Sequence, residues 1–184
     1  MKKILFIILS ALIFSVQIIE VKGSDQMEHF QLFSKAFQDG GDIPERYSST
    51  RKGQNISPPL HWVDPPTGTK SFAIITDDLD IPFGFIFTHW VVYNIPALKQ
   101  ELSEGVPHQR TFSDGAIQGK NSYGKNEYLG PNPIVGGKHR YVFYIYALDR
   151  MLNPDPDISK KKLLKVMEGH ILGQAQLMGC YSKA

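Results

Sequence analysis

Asp78 and Asp80 stand two residues apart just after an apolar run, and His139 and Tyr141 stand two residues apart at the start of another. In an extended backbone, residues i and i+2 share a face. Asp78 and Asp80 therefore project together with Leu79 turned back, and His139 and Tyr141 project together with Arg140 opposite. Two carboxylates in one small site repel each other and need hydrogen-bond donors or a cation to relieve them. An imidazole beside a phenol is a donor pair suited to phosphate or carboxylate oxygens. His89, between Thr88 and Trp90, is expected to face opposite to both neighbours. Each motif also has a plainer reading: an Asp-rich turn closed by Pro82, a strand histidine hydrogen-bonded in the core, and a solvated Arg140.

A long segment running from Gly119-Lys120-Asn121 to Gly130-Pro131-Asn132-Pro133 separates these motifs. Its glycines permit close backbone approach and its prolines stiffen the chain, so it can wall a pocket and offer backbone donors to an anion. It can equally be a loop held by its own turns. Two Asp and two His suffice in principle to hold a divalent cation. However, the sequence has no serine-nucleophile motif and no H-E-x-x-H pattern. No catalytic residue, metal or cofactor is assigned on this basis, and the chain is read as a non-enzyme.

The elements that must position these groups read mainly as β. Residues 71–76, 87–95 and 140–148 are rich in β-branched and aromatic side chains and bounded by turn formers, and 30–37 is a weaker strand candidate. Segments 50–68 and 115–138 are too Pro-dense for central strands or helices, and loops of that length are usually functional. Near the C-terminus, Leu163, Met167, Ile171, Ala175 and Met178 recur at three- and four-residue steps, the stripe of a helix capped by Asp157 or Ser159 after Pro154 and Pro156. Gly169 and Gly173 each cost a helix ~1 kcal/mol, which splits the stripe into two short helices with a bend. Strands first and helix last predict an antiparallel β-sandwich with one or two C-terminal helices packed at one side.

A chain of 184 residues, 42% hydrophobic and 21% charged, suits one globular domain with a short leader. Residues 1–23 have that character: Lys2 and Lys3, then an apolar run from Ile4 to Ile19, with Val21 and Gly23 before a cut preceding Ser24. This is a signal-peptide pattern, shorter than a membrane span needs. It leaves 24–184 as the domain and a periplasmic or secreted destination. Removing Lys2, Lys3, Lys22 and Glu20 from 20 basic and 18 acidic residues leaves 17 of each. A near-zero balance supplies no overall basic field for nucleic acid or an anionic membrane. Cys180 is the sole cysteine, so an intramolecular disulfide is excluded.

Four collinear blocks resemble the phosphatidylethanolamine-binding protein family, also called Raf kinase inhibitor-like proteins. They are Asn55-Ile56-Ser57-Pro58-Pro59-Leu60 with Trp62; Asp78-Leu79-Asp80-Ile81-Pro82 with His89-Trp90 and Asn94-Ile95-Pro96; Gly119-Lys120-Asn121 through Gly130-Pro131; and Gly137-Lys138-His139-Arg140-Tyr141. The match covers nearly all of 29–182, and the C-terminal Leu177-Met178-Gly179-Cys180-Tyr181 is similar to the compact bacterial and archaeal branch. The resemblance implies a β-sandwich with a small anion pocket for phosphate or a phosphoethanolamine-like head group. In that pocket Asp78, Asp80, His89, His139 and Tyr141 match the family's residues, and Pro82, Gly119 and Pro131 line it. The family usually has Pro where Leu79 stands and Ala where Ile81 stands, so Ile81 is expected to narrow the rim. A protein inhibitor acting on a kinase or protease through the pocket mouth is the alternative.

Overall fold

The computed structural model describes residues 30–134, 137–153 and 157–183. The proposed signal segment lies outside them. Among the described residues no helix is long and apolar enough to cross a membrane.

The sheet that carries the site has five antiparallel strands. β3 (Ser71–Asp78) is flanked by β4 (Phe87–Pro96) and β7 (Lys138–Leu148), with β6 (Ile117–Gln118) beyond β4 and β8 (Ile171–Ser182) beyond β7. All eight residues of β3 are buried, because both faces of the sheet are covered. On the inner face, Phe72, Ile74, Trp90, Val92, Phe143 and Ile145 pack against a second sheet. That sheet is formed by β1 (Gln31–Phe33), β2 (Leu60–Val63) and β5 (Glu101–Leu102). Trp62 of β2 meets Phe72 edge-on, with ring centroids 5.2 Å apart. On the outer face, Ala73, Ile75, Val91 and Tyr93 are covered by the α-helix α1 (Lys160–Met167) through Leu163 and Met167.

The three strongest strand expectations are met with small extensions. The two Pro-rich segments also contain β2 and β6, short strands held by tertiary partners rather than by local propensity. The C-terminal stripe is corrected more sharply. Ser159 does stand at the helix N-cap, but the helix ends at Met167, where Gly169 takes φ +76° and the His170 N–H returns to the Met167 carbonyl. Residues 171–182 are a strand paired with β7 from Leu148↔Ile171 to Lys138↔Ser182. The governing period is two: Leu177, Gly179 and Tyr181 are buried, Met178 is half-buried and Ile171 is exposed. At Gly179 a Cβ would stand 2.5 Å from Ile43, so that position needs glycine for close packing.

Candidate functional site

The site lies at the end of the five-stranded sheet where β3 finishes and β4 and β7 begin. The register sets Asp78 opposite both Tyr141 and Phe87. Asp78 has the same parity along β3 as Phe72 and Ile74, and His139 the same parity along β7 as Tyr141 and Phe143, so these groups extend the inner face beyond the core. Asp78 Oδ2 and His139 Nδ1 are 2.8 Å apart, with each side chain 2% exposed. A carboxylate accepts only, so Nδ1 carries the proton.

His89 reaches the same place by a β-bulge. Trp90 pairs with Thr76 and Thr88 with Asp77, which leaves His89 as the extra residue in β4. Thr88 turns outward to donate to Asp77, whereas His89 packs edge-on against Tyr141 at 5.1 Å and Trp90 against Tyr128 at 5.5 Å. The expectation that His89 faces opposite to Trp90 is therefore corrected: the bulge breaks the alternation, and both rings enter the inner side. His89 Nδ1 donates to the Leu129 carbonyl at 2.6 Å. Burial pushes the His89 pKa below the usual histidine range, and that hydrogen bond and the Asp78 charge offset the shift only in part. In the free protein this imidazole is thus neutral near pH 7.

Tyr141 lies between the two imidazoles, with the His139 ring 6.5 Å away and nearly parallel. Burial first, and then the Asp78 carboxylate, push its pKa well above the usual phenol range, so the hydroxyl remains a donor. That hydroxyl is buried; the Asp78 carboxylate is the acceptor near enough to act on it, but it does not meet the hydroxyl in good hydrogen-bond geometry.

Around these groups the chain forms a cleft of about 590 Å³. Asp78, His89, His139, Tyr141 and Pro82 line it, together with apolar walls from Ile81, Phe87, Tyr123, Leu129 and Ile134, and the polar residues Ser49, Asn55 and Asn132. Phe87 stands two residues before His89, and its ring lies tilted to His89 at 4.8 Å and edge-on to Tyr123 at 5.0 Å. Asn55 accepts from the Gly130 N–H and ties the first Pro-rich segment to the second. Neither of these contacts is readable without the tertiary fold.

Three expected pocket residues lie outside the cleft lining. The i, i+2 rule fails for Asp80 because β3 ends at Asp78, whose Oδ1 accepts the Asp80 N–H at 2.9 Å. The Asp80 carboxylate turns to Arg140 and receives Nη2 at 2.6 Å, Nε at 2.9 Å and the backbone N–H at 2.8 Å. The Arg140 guanidinium holds the Asp80 pKa down at about 2. Gly119 sits between β4 and residue 158, where a Cβ would come 2.6 Å from the Ile158 carbonyl oxygen and 2.8 Å from Val91. Pro131 is buried behind the wall, its carbonyl accepting the Ser49 N–H at 3.0 Å. Among the described residues, no group of three or more His, Cys, Asp or Glu is placed to hold a metal ion.

The family model described as "Phosphatidylethanolamine-binding protein" matches residues 33–182. A UPF0098 protein of Methanothermobacter thermautotrophicus is 47% identical over 152 residues, covering 83% of this chain and 98% of its own length. Among solved structures, a phosphatidylethanolamine-binding protein homologue from Chlamydia trachomatis superposes with a TM-score of 0.77 at 40% identity, over 85% of this chain and 99% of that one. YbcL of E. coli, described as a member of the mammalian PEBP family, gives 0.76 at 30% identity, over 84% of this chain and 99% of that one.

Proposed function

This chain belongs to the phosphatidylethanolamine-binding protein family, and on that premise we propose that it is an exported binding protein whose cleft accepts a phosphate-like oxyanion. The observation that carries the reading is the Tyr141 hydroxyl, a buried donor without a well-placed acceptor, between two imidazoles in a cleft with apolar walls and a few polar groups. An unsatisfied buried donor costs about 1 to 3 kcal/mol, and a ligand oxygen would satisfy it. His139 is oriented by Asp78, and His89, whose Nδ1 is committed to the Leu129 carbonyl, can present Nε2 to a ligand. The apolar walls suit the organic part of a phosphate ester.

The geometry favours phosphate as the main determinant over a matched zwitterion. Of the two aspartates expected to receive an ammonium group, Asp80 is committed to Arg140 and only Asp78 lines the cleft, already paired with His139. Binding rather than catalysis is supported by the one serine in the lining, Ser49, whose hydroxyl donates to the Gly130 carbonyl instead of to a histidine. Calorimetric titration with inorganic phosphate and with phosphoethanolamine tests this reading on the parent and on His139→Gln, each shown to be folded by thermal melting. Both ligands should bind the parent, and both should weaken in the variant. Equal binding by a folded His139→Gln protein would exclude the cleft.

A further inference from the structure

We propose that Asp77, held between Thr88 and Lys160 on the outer face of the sheet, is the positioning residue that fixes the register of β4 and so keeps His89 and Phe87 in the cleft. Trp90 stands opposite Thr76, but Thr88 stands opposite Asp77, so the register of β4 against β3 shifts between these two pairs. Trp90 packs on the inner face with Val92. Strict alternation from there would set His89 opposite Asp77 on the outer face and Thr88 opposite Asp78 on the inner one. Phe87 would then turn outward with His89, and the cleft would lose two of the rings that line it. A slip of one residue therefore separates a β4 that serves the cleft from one that does not, and bulges beside functional sites re-aim side chains in this way.

Two sets of contacts hold the bulged register. Inside the cleft, the Leu129 carbonyl accepts from His89 Nδ1, and the Leu129 N–H donates to the His89 carbonyl at 3.1 Å; this hold buries an imidazole, which opposes it in part. On the outer face, Thr88 Oγ1 donates to Asp77 Oδ1 at 2.9 Å, and Lys160 Nζ, from the first turn of α1, donates to Oδ2. The Thr88 backbone is fixed as well, its N–H donating to Ser122 Oγ at 2.8 Å and its carbonyl accepting the Ser122 N–H at 2.9 Å. Asp77 is 2% exposed, and it shares the outer face with Ala73, Ile75, Val91 and Tyr93. A buried ion pair adds little net stability, because desolvation offsets the attraction, and the best-attested use of such a group is to specify register. Slipping β4 would withdraw the Thr88 hydroxyl and leave Asp77 Oδ1 buried without that donor, which disfavours the regular ladder. Asp77 does not line the cleft; it acts on the cleft through Thr88 and the backbone that follows.

The His89 and Tyr141 rings meet edge-on with centroids 5.1 Å apart, so nuclear Overhauser contacts between their ring protons report where His89 is. Thr88→Val keeps the size and β-branching of the side chain and removes its hydroxyl. The ring contacts should then be lost, and the His89 titration midpoint, held down by burial in the parent, should rise. Phosphate should bind at least roughly tenfold more weakly, as expected when one hydrogen bond to a charged acceptor is removed. Thr88→Ser, which restores the hydroxyl, should keep both the ring contacts and the affinity. The double variant Asp77→Leu, Lys160→Met replaces the ion pair by apolar groups of similar size, a change that folds tolerate. It should melt near the parent and still lose the ring contacts. Persistence of those contacts in folded Thr88→Val, or in the folded double variant, would overturn the proposal, as would their loss in Thr88→Ser. Unfolding of both Thr88→Val and the double variant would make the three residues a support of the fold alone and would overturn it equally. Phosphate affinity as a readout rests on the proposed function of the cleft, whereas the ring contacts do not. A parent protein that binds no phosphate would therefore count against that function, and the ring contacts would still decide the role of Asp77.

Discussion

Replacing Tyr141 by Phe should move stability and affinity in opposite directions. The ring is 1% exposed and packed between His89 and His139, so the substitution keeps the packing and deletes one oxygen. In the ligand-free protein that oxygen has no well-placed acceptor, and an unsatisfied buried hydroxyl costs about 1 to 3 kcal/mol. Part of that cost should be recovered on deletion. A gain of about 1 kcal/mol corresponds to a melting shift of roughly 2 to 4 °C in a domain of this size. Phosphate binding should weaken at the same time, because a hydrogen bond to a charged acceptor contributes about 1.5 to 3 kcal/mol, or roughly ten- to hundredfold in Kd. Urea unfolding without phosphate and calorimetric titration with phosphate read the two quantities separately. A Tyr141→Phe protein destabilised by more than about 1 kcal/mol with unchanged phosphate affinity would refute the reasoning. It would show that the hydroxyl serves Asp78 within the fold and is not held for a ligand.

The depressed pKa of His89 predicts that phosphate binding takes up protons and strengthens as pH falls toward the free-state pKa, measurable by calorimetry in buffers of different ionisation enthalpy. The same group contributes to stability with the opposite sense. Its folded pKa lies below the ordinary ~6.5, so the unfolded chain binds more protons and stability declines as pH drops below ~6.5. Asp80→Asn should cost about 1 kcal/mol at pH 7: a shift from 3.8 to about 2 sets a ceiling near ~2, reduced because Arg140 is half exposed. That contribution should vanish as pH falls from about 4 to about 2, with phosphate affinity at neutral pH unchanged. Gly119→Ala should lower stability by about 1 to 3 kcal/mol through the clash with Ile158 and Val91, while the folded fraction binds phosphate as the parent does. A loss of affinity without destabilisation would return Gly119 to the pocket.

Alternation and composition made the central sheet legible. Residues 71–76, 87–95 and 140–148 have β-branched and aromatic content that only strands buried on both faces use well, and β3, β4 and β7 are those strands. The sharing of one face by His139 and Tyr141 followed from the same two-residue period, which depends on backbone geometry alone. Where the period was ambiguous the sequence did not decide. Ile171, Ala175 and Met178 fit a helical stripe, but β7 presented a free edge, and pairing of eleven residues of β8 with it overrode the pattern. Tertiary structure alone decided how the site closes. A strand that stops at Asp78 sends Asp80 to Arg140, a bulge turns His89 inward beside Tyr141, and Asn55 clamps Gly130 from seventy-five residues away. Each of these depends on where a neighbouring strand ends or which partner it offers, a long-range quantity that local periodicity does not contain.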